Sequence, residues 1–215
     1  NGETVTTIEQ SNACVKWQID ETLRRYNEKD YKNLEFVGFY WQFESVRTES
    51  DIDTMIYMND YVHDMGYLTF WCPYYTANGI WLNHQVGFDI ACLQPNYMFY
   101  DTEPTRTDTT AELAKLYGMC VEIEIEGGVI SDEVLELYRA YLKSGYEKGY
   151  MNSVKVYYQG GLPGAYIQGH RKGNENDKAM YEEKDEALKR LSKYAETVCS
   201  LLKIGMLHGD SYFSK

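Results

Sequence analysis

YGMCVEIEIEGG, residues 117–128, is a stretch in which three glutamates alternate with aliphatic residues. Successive side chains of a β-strand point to opposite faces, so the pattern predicts a strand with all its carboxylates on one face. The glutamates are Glu122, Glu124 and Glu126, and the aliphatic residues are Val121, Ile123 and Ile125. Such a strand has either one face in water, where glutamates cost little, or a face that lines a cavity with carboxylates. The neighbouring elements decide between these two interpretations.

Strand-like runs recur along the chain, and helical patterns follow them. The runs cover residues 34–45, 67–75, 88–99, 117–128 and 153–159. Helical spacing is found over about 12–26, 51–65, 80–86 (a short turn or helix), 108–117, 131–142 and 177–203. Ser50 or Asp51 should cap the second of these helices, Thr107 or Asp108 should open the fourth, and Gly66 and Gly118 should end them. Alternation of this kind predicts right-handed βαβ units and a parallel sheet covered by helices.

The predicted fold class is α/β, with the architecture of a TIM-like (β/α)-barrel. In such a barrel the aliphatic face of the glutamate strand packs against helices, and its carboxylates face the interior. A complete barrel has eight units in about 250 residues, whereas this chain of 215 residues contains five. We therefore expect residues 1–215 to form a single domain that corresponds to strands four to eight of a barrel without its N-terminal part. Residues 204–215 would be a C-terminal tail, and an open five-stranded sheet is the alternative.

Two carboxylates are predicted near the C-terminal ends of strands, where barrel active sites are built. Glu44 ends the first run on the same face as Tyr40 and Gln42. In glycoside hydrolysis one carboxylic acid protonates the departing oxygen, while a second carboxylate attacks the anomeric carbon or activates water. We expect Glu44 to be the acid/base, Glu124 the nucleophile and Glu122 an orienting group. The alternatives are a surface glutamate at position 44 and a buried polar network at positions 122 and 124.

Candidate substrate-binding residues are predicted around these carboxylates. They share a place at or near strand C-termini and carry amide or phenol groups, which suit sugar hydroxyls and sugar faces. They are Tyr40, Gln42, Tyr74, Tyr75, Gln94, Asn96, Tyr97, Tyr157 and Gln159. Core packing or loop anchoring is the alternative for each of them.

The composition excludes several other functions. With 33 acidic and 21 basic residues the net charge is -12, which argues against binding to nucleic acid or anionic lipid. No apolar run reaches transmembrane length. The five cysteines show neither CxxC pairs nor Cys/His metal spacing, and no Ca²⁺-loop spacing accompanies the glutamates. We therefore expect no metal and no cofactor, and a free cysteine in a strand should behave as a small hydrophobe.

Three longer stretches are similar to a known family. WCPYYTANG at 71–79, GFDIACLQPNYMF at 87–99 and YGMCVEIEIEG at 117–127 resemble an uncharacterised bacterial domain-of-unknown-function family with glycoside-hydrolase-like barrels. The resemblance extends from about Leu34 to Gln159. The matching strand of that family reads approximately Gly-Val-Glu-Ile-Glu, which implies that Glu122 and Glu124 are its pair of glutamates. The resemblance also implies a secreted or cell-surface location, which the sequence itself does not encode.

The predicted function is that of a retaining glycoside hydrolase acting on a polysaccharide or glycoconjugate. One alternative is a barrel that binds glycan without cleaving it. The other is a structural or assembly role, in which the open sheet would need a partner: the missing N-terminal part of the same protein or a second chain.

Overall fold

The computed structural model describes residues 4–99, 103–125 and 132–159. The chain divides into two compact units, of which the first comprises residues 1–123 and 141–157. The second comprises residues 124–140 and the residues from 158 onward. Glu126, the predicted helix over 177–203 and the predicted tail over 204–215 lie outside the described residues.

The described residues contain four α-helices and five β-strands that largely follow the predicted order. The helices are α1 (Ile8–Lys29), α2 (Glu49–Asp64), α3 (Arg106–Leu116) and α4 (Asp132–Lys148). The strands are β1 (Gly38–Trp41), β2 (Leu68–Trp71), β3 (Ile90–Leu93), β4 (Cys120–Ile125) and β5 (Val156–Gln159). Short 3₁₀ helices lie at Ile80–Leu82 and Tyr150–Asn152. None of the helices in this part of the chain is long and apolar enough to cross a membrane.

The five strands form one sheet in the order β1-β2-β3-β4-β5. The pairs β1–β2, β2–β3 and β3–β4 are parallel, with Trp41 beside Trp71, Trp71 beside Ala91, and Cys92 beside Cys120. Each strand therefore lies next to the strand that follows it in the chain. This winding, without a reversal of strand order, is that of a (β/α)-barrel and differs from the doubly wound sheet. The predicted α/β class with a parallel sheet is confirmed.

Helix starts differ from the predicted ones by a few residues. Thr48 caps α2, because its hydroxyl accepts a hydrogen bond from the Asp51 backbone N–H at 3.3 Å and the Asp51 carboxylate accepts one from Thr48 at 3.1 Å. This reciprocal capping box requires a spacing of three residues, so the predicted caps Ser50 and Asp51 are wrong. Likewise α3 is preceded by Thr105, two residues before the predicted Thr107.

The predicted helix stops are correct for a conformational reason. Gly66 and Gly118 follow α2 and α3 with φ of 79° and 66°, in the left-handed region that a side chain disfavours. A Cβ on Gly118 would also lie 2.5 Å from Nε2 of His84. Because these glycines end the helices sharply, β2 and β4 begin within two residues of them.

Both faces of the glutamate strand β4 are buried. Val121 and Ile123 on the aliphatic face are at most 1% exposed, as predicted for a face that packs against helices. Glu122 is only 7% exposed and Glu124 only 1%. The interpretation in which the glutamates face water is therefore wrong for these two positions, because a parallel strand is covered on both sides.

A buried tyrosine holds the segment that follows β3. The Tyr141 hydroxyl oxygen accepts hydrogen bonds from the backbone N–H groups of Tyr97, at 3.0 Å, and Met98, at 3.1 Å. The preceding residue, Asn96, has a φ of 53°. Tyr141 is fully buried, so no water replaces these bonds. The phenol of α4 thus determines the path of the chain beyond β3.

Tyr141→Phe should lower the free energy of unfolding by about 1 to 3 kcal/mol, because it leaves the buried backbone N–H of Met98 and the part-buried N–H of Tyr97 without their acceptor. Urea denaturation monitored by circular dichroism measures this change. Tyr146→Phe on the same helix is the matched control, since that side chain is 74% exposed. Equal stability of the two variants would contradict this account of the loop.

Candidate carboxylate site at the strand ends

Backbone pairing between neighbouring segments continues past the C-terminal ends of β1, β2 and β3. The Tyr74 backbone N–H donates to the Glu44 carbonyl at 3.3 Å, and Tyr74 forms an isolated parallel bridge with Gln94. Continuing the β3–β4 register brings Gln94 beside Glu122. Side chains alternate, so these positions share one face of the sheet. We call Glu44, Tyr74, Gln94 and Glu122 the carboxylate row.

Glu44 lies beyond the end of its strand. The predicted run extends to residue 45, whereas β1 ends at Trp41. The Trp71 indole N–H donates to the Phe43 carbonyl at 2.8 Å. This bond holds the irregular segment that follows β1 against the end of β2. The Glu44 side chain is exposed, and one carboxylate oxygen accepts a hydrogen bond from Nε2 of Gln94 at 3.0 Å. Glu44 is therefore open to solvent and held by an amide.

Gln94 is fixed by bonds on both sides of its amide. Its Nε2 also donates to the Cys72 carbonyl at 2.9 Å. Its Oε1 accepts from Nδ2 of Asn96 at 3.2 Å, while Oδ1 of Asn96 accepts from the Tyr75 backbone N–H at 3.4 Å. This chain of bonds determines which way the Gln94 amide points and presents an N–H group to Glu44.

Glu122 has the opposite environment from Glu44. The pKa of its carboxyl is raised to about 7: burial is the largest cause, a hydrogen bond from the Cys72 thiol acts in the lowering direction, and the nearby Glu44 carboxylate adds to the rise. Near neutral pH both the protonated and the ionised form of Glu122 are therefore present. The two carboxyl groups interact with each other, yet only one of them is desolvated.

Tyr40 lies near both carboxylates. Burial raises the pKa of its phenol, and the electrostatic influence of Cys72, Glu44 and Glu122 acts in the same direction. The phenol therefore stays neutral and keeps its O–H donor. The ring is 49% exposed, so it also offers an aromatic surface at this end of the sheet.

The remaining predicted residues divide into exposed and anchored ones. Gln42, Tyr74 and Tyr157 have exposed side chains. Tyr75 is half-buried, with the Arg106 guanidinium 4.4 Å from its ring centroid, and Tyr97 packs edge-on against Tyr141. Of all the predicted substrate-binding residues, Tyr40, Tyr74 and Gln94 lie beside the two carboxyl groups of Glu44 and Glu122.

Two predicted positions fall in the second unit. Glu124 is buried there, and Gln159 ends β5. The role of Glu124 as nucleophile stays a prediction.

One member of the site was not predicted. Cys72 follows β2 directly, and its thiol hydrogen-bonds Glu122. Cysteine in a strand was interpreted as a small hydrophobe, although the alternation of Cys72 with Tyr74 places both on the face of the sheet that carries Gln94 and Glu122. Within the described residues, no three His, Cys, Asp or Glu side chains are arranged to hold a metal ion.

The chain belongs to the family described as Domain of unknown function (DUF4855), whose model matches residues 2–186. The resemblance to a domain-of-unknown-function family is thereby confirmed. A comparison with curated proteins finds no match.

Among solved structures, the chain is similar to a "putative alpha-L-fucosidase" from Bacteroides thetaiotaomicron VPI-5482. The identity is 21% and the TM-score 0.44, over 67% of this chain and 54% of that chain. The chain thus spans about half the length of that protein.

Glu122→Gln should raise the free energy of unfolding at pH 8 and leave it unchanged near pH 4. The carboxyl pKa is raised from its ordinary 4.5 to about 7 on folding, so the native state binds more protons between these values. Stability therefore falls as pH rises through this window, by about 3 kcal/mol in full. Urea denaturation at pH 4, 6 and 8 measures the difference from wild type. The exposed Glu35→Gln is the control, and a pH-independent difference for Glu122→Gln would refute the assignment.

Proposed function

We propose that this domain is a glycoside hydrolase built on a (β/α)-barrel, with β1 to β5 as strands four to eight of that barrel. One observation carries the proposal: Glu44 and Glu122 share the carboxylate row and have opposite environments. Glu44 is exposed and bonded by Gln94, while Glu122 is buried with a raised pKa. Two carboxyl groups with different environments are what acid-assisted glycoside cleavage needs.

In this proposal Glu122 is the general acid. Its protonated form donates to the glycosidic oxygen as the bond to the sugar breaks, and a pKa of about 7 provides that form at neutral pH. Glu44 is the carboxylate that attacks the anomeric carbon, as in a retaining enzyme. These roles differ from the predicted ones, in which Glu44 was the acid/base. The reason is that Glu122 is the buried carboxyl group, and its raised pKa suits the general acid.

Carbohydrate is the substrate class that the surroundings favour. Tyr40 and Tyr74 expose aromatic rings beside the two carboxylates, and Gln42 exposes an amide in the adjoining segment. Flat rings suit the apolar faces of sugars, and amides and phenols suit their hydroxyls. The net charge of -12 disfavours strongly anionic polymers.

Glu44→Gln and Glu122→Gln should each lower kcat/KM by about 10²- to 10⁴-fold on a cleaved glycan, because each removes a group that acts on the reacting atoms. The substrate comes from a panel of aryl glycosides and polysaccharides, incubated with the longest natural form of the protein. Azide should restore turnover to Glu44→Ala, giving a glycosyl azide, and proton NMR of the wild-type product should show the retained anomer.

The controls separate this proposal from its rivals. Glu35→Gln should leave turnover unchanged, and Glu124→Gln tests whether the predicted nucleophile takes part. Full activity of both Glu44→Gln and Glu122→Gln would reject the proposed pair. Glycan binding without turnover in the wild type, retained in the Glu44→Gln, Glu122→Gln double variant, would instead indicate a non-catalytic glycan-binding barrel.

The rate of glycan cleavage should fall as pH rises through about 7, because the general acid loses its proton there. A profile of kcat/KM from pH 4 to 9 checks this, since it reports the groups of the free enzyme. Tyr40→Phe is the matched variant, which keeps the ring and should keep the alkaline limb in place. An alkaline limb above pH 9 would assign the acid to another group.

A further inference from the structure

Three cysteines lie side by side on neighbouring strands of the first unit. Cys92 of β3 and Cys120 of β4 are register partners. Cys72 comes one residue after the pair of Trp71 and Ala91, which brings it beside Cys92. The Cys92 thiol lies within hydrogen-bonding reach of both of the other sulfur atoms and can donate its single proton to one of them at a time, and all three cysteines are free. We call Cys72, Cys92 and Cys120 the thiol row; it adjoins the carboxylate row.

The end of the thiol row at Cys120 differs from the rest. Cys72 and Cys92 are buried, whereas Cys120 is partly exposed. The Cys92 thiol, the Ser153 hydroxyl and the Val154 backbone lie within hydrogen-bonding reach of its sulfur, the Ser153 hydroxyl being shared with the Tyr150 carbonyl at 2.8 Å, and the Lys155 ammonium lies nearby. These contacts favour the thiolate and bring the pKa of Cys120 down to about 7, although partial burial opposes them. A partly exposed sulfur with donors and a cation around it is a typical reactive thiol.

We propose that Cys120 is a site of oxidation by hydroperoxides, and that Cys92 is its partner in a disulfide. Neighbouring strands are about 4.8 Å apart, and disulfides join Cα atoms about 4.4 to 6.8 Å apart. Register partners on adjacent strands meet this condition without a shift of either strand. The geometry of the sheet therefore places the second thiol beside the first oxidised product, although the hydrogen bonds to Cys120 and Cys72, together with burial, raise the pKa of Cys92 and slow its attack.

The reaction proceeds in two balanced steps. The Cys120 thiolate attacks one oxygen of the hydroperoxide, the O–O bond breaks, and the sulfur becomes a sulfenic acid while hydroxide or alkoxide leaves and takes a proton from water. The Cys92 sulfur then attacks the Cys120 sulfur, the S–O bond breaks, and the departing hydroxide takes the Cys92 proton to form water. The two thiols together lose two electrons, which reduce the peroxide.

The Cys92–Cys120 disulfide would form next to the carboxylate row. Formation of the disulfide removes the Cys92 proton that Cys72 can otherwise accept, and the Cys72 thiol is itself bonded to Glu122. The proposed oxidation is independent of glycan cleavage, because it is measured on the cysteine sulfur atoms and requires no glycan substrate.

Peptide mass spectrometry of the full chain tests the proposal. The protein is treated with hydrogen peroxide at pH 7, its remaining thiols are alkylated, and the digest is searched for cross-linked peptides. We expect the Cys92–Cys120 disulfide as the first product in wild type and in Cys14→Ser, where an exposed cysteine elsewhere is removed. In Cys92→Ser, Cys120 should stop at the sulfenic acid and be trapped by dimedone. A first product without Cys120 would overturn the proposal.

A second measurement needs no variant. Alkylation of wild type by iodoacetamide, resolved by peptide between pH 5 and 9, compares Cys120 with Cys14 in the same molecule. The rate at Cys120 should rise with a midpoint near pH 7, whereas an ordinary thiol has its midpoint near pH 8.5. A midpoint for Cys120 at or above that of Cys14 would refute the reactive thiol even if Cys92→Ser failed to fold.

Discussion

The in-register parallel pairing of β1 to β4 is the constraint on which the rest of the structure depends. Because side chains alternate along each strand, one register decides at once which residues of four strands meet on the interior face. It brings Glu44, Gln94 and Glu122 into one row, and Cys92 and Cys120 into another. A slip by one residue would turn these groups towards the helices and bring Val121 and Ile123 into the interior. Site and core therefore depend on the same hydrogen bonds.

The carboxylate row combines Glu44, which is hydrogen-bonded and exposed to water, with Glu122, whose ionised form is destabilised by burial. Gln94 offers Glu44 a hydrogen bond at a place where water also reaches the carboxylate. Glu122 sits in the covered part of the sheet, where ionisation is costly and the pKa rises. A buried carboxyl of this kind lowers stability at neutral pH, and such groups cluster at functional sites because their proton is held near the working pH. The cost in stability and the proposed acid chemistry have one origin, which is burial.

The two rows differ in how their groups reach solvent. The carboxylate row opens beyond the strand ends, where Glu44, Tyr40 and Tyr74 are exposed. The thiol row is covered at Cys72 and Cys92 and is partly open only at Cys120. The Cys72 thiol joins them through its bond to Glu122. One face of the sheet therefore carries a row of carboxyl groups and, next to it, a row of thiols.

Local periodicity in the sequence was enough to predict the order of the strands and helices in the described residues, the glycine stops at Gly66 and Gly118, and a glutamate strand that keeps its carboxylates on one face. These features depend on neighbours within a few residues, which the sequence displays directly. The capping of α2 by Thr48, the bond from Gln94 to Glu44 and the part played by Cys72 were decided by the tertiary structure alone. They depend on which strands pair, in what register, and on how deeply each group is covered. Burial assigned the raised pKa to Glu122 and left Glu44 in water, because desolvation is a property of the packed chain and no stretch of sequence contains it.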